Sequence, residues 1–349
     1  MKYNKQISLG YDINGKRIRK WIHANSVAEL NKKMDQVKME HQLVPNMSDI
    51  TFGEYSKTWM AAYKGNRSTQ TQNMYTNALR KCANLDRYPL KSVTKTNCQE
   101  LVNLTWKTPR TAKIVADTLR QIFRTAVSDG IILRNPADAL VLPESRHKAF
   151  RLLTQKELDA LDRAGLDTQD AMFVLILRTF GLRPAEALAL QPSDFDFKIN
   201  ALKITKALEL SGSKSTVKST KTGKNRAIPI PDSVIPTLKA YIRGLNGFLL
   251  FTKQDGQQHT KSSYVKMSAR IMKKWNQALG GDAVMNMLAG ITMYSFRHRR
   301  ATDYYYLCQN GSISPKQAAV LLGHSEEIFI RTYSHIDPEH EDLAAVTNL

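Results

Sequence analysis

Residues 291–335 read ITMYSFRHRRATDYYYLCQNGSISPKQAAVLLGHSEEIFIRTYSH, and the rest of the chain is organised around them. Ser314, Pro315 and Gln317 form a helix start: a hydroxyl at the N-cap, Pro at the first helical position, and Gln placed to reach back. That helix carries Gln317 to Leu322 and stops at Gly323, the residue type that accepts a left-handed turn most readily. His324 therefore falls just past a helix end. A new start at Ser325–Glu326 places Tyr333 about two turns further on. Arg297, His324 and Tyr333 thus lie in ordered settings with fixed offsets.

These residues resemble the C-terminal signature of the tyrosine recombinases, the phage integrase family. That family shows an H-x-x-R box, then L-G-H, then a nucleophilic Tyr nine residues after the His; here His324 and Tyr333 are nine apart.

Charge agrees with such a partner. Of 349 residues, 51 are Lys or Arg and 31 are Asp or Glu, a net charge of +20. A polyanion is implied, with nucleic acid the first candidate. The length suggests two to three domains with real cores. Cys82, Cys98 and Cys308 are odd in number and lack C-x-x-C spacing, which points away from a disulfide framework and towards a reducing cytoplasm. The longest central apolar run, Ala171 to Leu177, is too short to span a bilayer, and the polar, basic start is unlike a signal peptide. A soluble, cytoplasmic, nucleoid-associated bacterial protein is expected.

Three domains and a tail are expected, in a mainly α chain with small β elements (α+β). Residues 1–45 read as a β-hairpin and one helix. Ile7, Leu9, Tyr11 and Ile13 alternate with polar positions, Asn14–Gly15 is a two-residue turn signal, and the box Ser26-x-x-Glu29 opens a helix. Lys16, Arg17, Arg19 and Lys20 crowd the return strand and suit DNA phosphates. Residues 49–142 are helical throughout. Phe52, Tyr55, Trp59 and Tyr63 form one stripe and Tyr75, Leu79 and Cys82 another, both read as core. Lys64, Arg67, Lys107, Arg110 and Lys113 are the phosphate-contact candidates there. Pro143 to Arg151 reads as a linker. Residues 151–340 open with the box Thr154–Glu157, carry β signals between Ala201 and Ile230, and return to helices from about Asp232. An acidic tail, 341–349, closes the chain. By resemblance the three domains are an arm-type DNA-binding domain, a SAM-like core-binding domain and the catalytic domain.

Cutting a phosphodiester through a protein nucleophile needs an attacking oxygen, charge stabilisation on the non-bridging oxygens, and a proton for the leaving 5′ oxygen. Arg suits the second task because its planar fork matches two phosphate oxygens at once. The resemblance supplies the members one by one. Thr179 to Glu186 looks like the family's T-G-x-R-x-x-E box, which makes Arg183 the first clamp and Glu186 its orienting neighbour. Lys221, in a Lys-Thr-Gly turn between strands, matches the general acid. Arg297 is the second clamp, His324 a donor to the scissile phosphate, and Tyr333 the nucleophile. Tyr294 stands where the box usually has His; a phenol can donate to phosphate but is no imidazole acid–base. His298 reads as structural, and Tyr304, Tyr305 and Tyr306 as helix packing.

Other chemistries fit less well. Asp194 and Asp196 read as a turn and not as metal ligands, and His335 and His340 lack partners, so no metal is expected. No phosphate-binding G-x-x-x-x-G-K run is present, and no cofactor or ATP is expected. A type IB topoisomerase shares the tyrosine chemistry, and a non-catalytic DNA-binding or architectural protein is the alternative of a different class. The expected partners are double-stranded DNA attachment sites, three further copies of the chain in a homotetramer, a directionality factor and a host DNA-bending protein, in the service of a prophage or conjugative element.

Overall fold

The computed structural model describes residues 3–11, 17–42, 50–144, 151–211, 214–219 and 225–333. The Asn14–Gly15 turn, Lys16, residues 43–49, most of the linker after Pro143, the Lys221 turn and the acidic tail lie outside them. The chain divides into two compact units, 1–147 and 148–349.

The first unit begins with β1 (Tyr3–Tyr11) and β2 (Arg17–Ala24), paired antiparallel with Lys5 opposite Ile22 and Ile7 opposite Lys20. Successive strand residues face opposite sides, so Ile7, Ile22 and Ala24 share the face that packs on Leu30 and Met34 of α1 (Val27–Gln42). Ser26 receives the Glu29 amide and Glu29 accepts from the Asn25 amide, which starts α1 where the sequence signalled it. Trp21 lies on the other face and is 57% exposed, and Arg19 and Lys20 are exposed as well.

Residues 50–144 form a helical group: α2 (Phe52–Trp59), α3 (Thr69–Lys81), α4 (Lys95–Leu104) and α5 (Pro109–Ser128). Thr51, Ser68 and Thr94 cap the first three through their hydroxyls. The long helix α5 turns Val115, Leu119, Ile122, Phe123 and Ala126 into the core, the spacing of one helix face, against Phe52, Trp59, Cys82 and Leu101. The stripe on α2 is core as expected up to Trp59. Tyr63 departs from it: the last turn widens into a π-helix over Met60–Lys64, which shifts the facing and leaves Tyr63 51% exposed.

The second unit starts with α6 (Gln155–Asp162) and α7 (Thr168–Phe180), and α7 is closed by Gly181 in the left-handed region (φ +61). A one-turn helix, α8 (Pro184–Ala187), follows. A three-stranded sheet takes β3 (Phe195–Asp196), β4 (Ala201–Ile204) and β7 (Arg226–Pro229), with β4 central. Between them stands a separate hairpin, β5 (Lys206–Ser211) and β6 (Lys214–Ser219). Helices α9 (Ile235–Arg243), α10 (Lys261–Ala278), α11 (Ser295–Gln309), α12 (Pro315–Leu322) and α13 (Glu326–Tyr333) complete the unit. The main core joins Phe173, Leu177, Phe180, Leu202, Ile228, Phe251, Ile271, Trp275 and Phe296, so helices from both ends of the unit seat the sheet. Among the described residues no helix is long and apolar enough to cross a membrane.

Candidate active site

The C-terminal end of α12 is the hub of the site. Ser314 accepts the Gln317 amide and Gln317 accepts from the Ser314 amide, so the helix starts where its sequence box predicts. Gly323 ends it at φ +67, and the His324 amide folds back onto the Ala319 carbonyl. A helix end leaves carbonyls without helical partners. Here three successive carbonyls, those of Leu321, Leu322 and Gly323, each accept from a different arginine. Arg226 Nε donates to Leu321 at 3.0 Å, Arg297 Nη2 donates to Leu322, and Arg183 Nη2 donates to Gly323 at 3.2 Å. The negative end of the helix dipole is thus met by positive charge.

Arg183 sits immediately before α8, with a quarter of its side chain exposed. Glu186, one turn on, accepts the Arg183 amide at 3.0 Å and its Nη1 at 2.8 Å. Glu186 thus holds both the backbone and the guanidinium of Arg183. Sequence reasoning missed that Glu186 is shared. Arg226, the first residue of β7, reaches it with Nη1 at 3.1 Å and Nη2 at 2.7 Å. Both partners are buried, with 3% and 2% of their side chains exposed. Burial alone would push the Glu186 carboxyl up; the Arg226 hydrogen bonds and charge, with Arg183, outweigh it and hold the group at about 2.

Arg297 is wholly buried on the first turn of α11. Its Nη1 donates to the Gly181 carbonyl at 2.9 Å, and its Nη2 reaches both the Leu322 carbonyl and Nε2 of His324, the latter at 2.8 Å. Burial and then the neighbouring Arg183 lower its pKa to about 10, so it stays charged at neutral pH. His324 is pushed down to about 3, first by desolvation and then by Arg297, Arg183 and Arg226, and is neutral. An arginine can only donate, so Nε2 of His324 accepts and the ring proton sits on Nδ1. Among the described residues, that Nδ1 and the Nε of Arg297 are buried donors without a hydrogen-bond partner. A phosphodiester offers what these two atoms lack, a set of strong acceptors.

Tyr294 stands one turn before Arg297, 38% exposed, with its ring 5.4 Å from that of His298. Burial, then Arg297, keeps the pKa of His298 low. Tyr304, Tyr305 and Tyr306 pack along α11, as expected. Tyr333 is the last residue of α13, a helix anchored by Phe329, which is buried among Ala301, Ala318, Ala319 and Leu322. Lys221 lies outside the described residues.

The basic candidates of the first unit separate by environment. Arg19, Lys20, Arg67, Lys107, Arg110 and Lys113 are exposed, Lys113 in a 3.2 Å ion pair with Asp117. Lys64 instead turns inward, donating to Gln121 Oε1 at 3.0 Å with its ammonium 4.7 and 4.9 Å from the Trp59 and Tyr75 rings. Arg17 belongs to β2, and Lys16 lies outside the described residues.

Residues 151–340 match the phage integrase family, and residues 51–104 match the phage integrase N-terminal SAM-like domain. A tyrosine recombinase XerC-like protein of Caldanaerobacter subterraneus subsp. tengcongensis is 25% identical, over 99% of this chain and 95% of its own length. A tyrosine recombinase of Thermosipho africanus is 27% identical over 71% of this chain and 79% of its own. Among solved structures, the Tn1549 transposon integrase in complex with a circular intermediate DNA superposes with a TM-score of 0.69 at 23% identity, covering 86% of this chain and all of that one. A lambda integrase tetramer bound to a Holliday junction gives 0.65 at 18% identity, over 95% and 94%. At these identities the two structures share the fold.

Proposed function

The chain belongs to the phage integrase family of tyrosine recombinases, enzymes that cleave and rejoin DNA, and from that premise we propose that Tyr333 is its nucleophile and the end of α12 its phosphate site. Tyr333 Oη gives up its proton to solvent and attacks the scissile phosphorus, a 3′-phosphotyrosyl bond forms, and the bond to the 5′ oxygen breaks. Arg183 and Arg297 stabilise the negative charge that develops on the non-bridging oxygens, and His324 donates its Nδ1–H in a hydrogen bond to one of them. Lys221 gives the proton to the leaving 5′ oxygen, and Tyr294 adds a phenolic donor at the edge. The covalent intermediate keeps the bond energy of the backbone, so religation runs backwards through the same groups without ATP.

The observation that supports this reading best is the meeting of Arg183, Glu186, Arg297 and His324, separated by up to 141 positions, around the turn that leads into the Tyr333 helix. Two donors in that cluster, on Arg297 and His324, have no partner among the described residues and suit a phosphate. The net charge of +20 suits a duplex.

We assign residues 1–45 to arm-type DNA binding, 49–142 to core-site binding and 151–340 to catalysis. The substrate is a pair of attachment sites of a mobile element, exchanged in the bacterial cytoplasm by a homotetramer, with a directionality factor and a host DNA-bending protein. Both structural neighbours named above were captured on DNA, and one of them as a tetramer, which favours this assembly. The tail, 341–349, docks on a neighbouring copy; deletion from Asp337 onward is expected to reduce tetramer assembly on DNA, and normal assembly would overturn that assignment. Recombination between two plasmids carrying the element's junctions, without metal or ATP, tests the function. Exchange by the wild type and none by Tyr333→Phe is expected; exchange by both would refute it.

A further inference from the structure

Glu186 is a buried carboxylate held by two guanidiniums, and only Arg183 of the two belongs to the machinery proposed above. We infer that Arg226 is a positioning residue for strand cleavage. By occupying Glu186, it leaves the charge and the open edge of Arg183 to the phosphodiester. This rests on the recombinase reading of the site.

The charges set the argument. Arg183, Glu186 and Arg226 together carry one net positive charge, whereas Arg183 and Glu186 alone would carry none. A phosphate approaching the pair alone would meet a neutralised arginine. Geometry points the same way. Arg226 spans both carboxylate oxygens, and those oxygens also take the Arg183 amide and Nη1, so Glu186 accepts four hydrogen bonds. With its acceptors shared in this way, it cannot draw Arg183 into a full fork–fork pair and pull it away from the α12 turn.

Arg226 also reaches the residue next to the phosphate site. Its Nε holds the Leu321 carbonyl at 3.0 Å, and a Cβ placed on Gly323 would lie 2.9 Å from its Nη1. The turn that presents His324 therefore rests on the Arg226 guanidinium. With 3% of its side chain exposed, Arg226 is itself shielded from a DNA phosphate. A buried ion pair is weak evidence for stability by itself, since apolar replacements often serve as well. A pair set between the first clamp and the His324 turn has a second use.

The test is a double-mutant cycle read by single-turnover cleavage of a nicked duplex at saturating DNA, with DNA affinity and thermal midpoint measured in parallel. Arg226→Met removes the charge and leaves Glu186 to Arg183; cleavage is expected to slow by on the order of tenfold or more with affinity nearly kept. Glu186→Gln takes away the carboxylate that Arg226 holds, so Arg226→Met should cost clearly less rate in the Gln background than in the wild type, the remaining loss being its support of the His324 turn. Arg226→Lys keeps the charge but loses the fork and is expected to fall between. If Arg226→Met alone does not fold, the Gln-background pair and Arg226→Lys still decide the matter. An equal loss of rate from Arg226→Met in both backgrounds, or wild-type rate in Arg226→Met, overturns the inference. Absence of any covalent adduct from the wild type overturns the recombinase reading instead.

Discussion

Arg297 Nη2 lies 2.8 Å from Nε2 of His324, and this contact fixes which ring nitrogen carries the proton. His324 is held in the neutral form with its proton on Nδ1, the atom without a partner among the described residues. Histidine NMR of the free protein is expected to show that tautomer and no ring titration around neutral pH. A charged ring at pH 6 would contradict it.

The same burial makes stability depend on pH. The unfolded imidazole takes up a proton near 6.5, the folded one only near 3, so the folded chain is penalised as pH falls below 6.5. Glu186 acts in the same direction at lower pH: its stabilisation is complete above 4.5 and lost as pH falls towards 2. Between pH 6.5 and 4.5 the loss belongs to His324 together with His298 and His259, which shift the same way. His324→Asn is therefore expected to flatten, in part, the fall of the thermal midpoint across that window. An unchanged slope would contradict the assigned environment.

Gly323 and Gly311 both sit in the left-handed region, at φ +67 and +77, but only Gly323 abuts a side chain, that of Arg226. Alanine at either is expected to cost about 1–2 kcal/mol in backbone strain. Gly323→Ala is expected to lose strand cleavage as well, because the new methyl displaces the guanidinium beneath the His324 turn. Equal cleavage by the two folded variants would argue against that support.

Lys64 and Arg67 are neighbours in sequence with different surroundings. Lys64 is engaged with Gln121 and two aromatic rings, while Arg67 is exposed. Arg67→Ala and Lys107→Ala are expected to lower the salt slope of DNA binding by about 1 each. Lys64→Ala should lower stability and leave that slope unchanged. Salt titrations by fluorescence anisotropy, beside thermal melts, separate the two behaviours.

Phe329 is what anchors α13. Phe→Ala in a core typically costs about 3–5 kcal/mol; here the loss falls on one short helix, whose Ile328 and Ile330 are largely exposed. Phe329→Ala is expected to keep the global thermal midpoint within a few degrees, speed amide exchange over residues 326–333 and abolish cleavage. Wild-type cleavage would contradict the anchoring role.

Much of this was legible in the sequence because it is local. Capping pairs such as Ser26–Glu29, Thr154–Glu157 and Ser314–Gln317 formed where the side chains permit, and Gly181 and Gly323 ended their helices. The place of His324 follows from those local rules. Arg226 did not stand out because its reason for burial is a carboxylate 40 positions earlier. An alternating strand pattern gives no sign that a guanidinium will face inward. Arg297 is similar. The α11 segment looks polar all round, yet Arg297 is buried and Arg299 and Arg300 are mostly so, with carbonyls of Gly181, Leu153 and Arg178 as acceptors. Backbone carbonyls have no sequence signature. Tyr63 left its stripe for another non-local reason, the widened turn beneath it.

The central claim is that Tyr333 attacks DNA. Wild type and Tyr333→Phe, both full length, would be incubated with nicked duplexes spanning the element's junctions, without metal or ATP, and run on a denaturing gel. The adduct would be digested and its nucleotide-bearing peptide sequenced by mass spectrometry. A covalent adduct from the wild type alone, with the nucleotide on Tyr333, is the predicted result. An adduct that persists in Tyr333→Phe, or one that maps to Tyr304, Tyr305 or Tyr306, would contradict it.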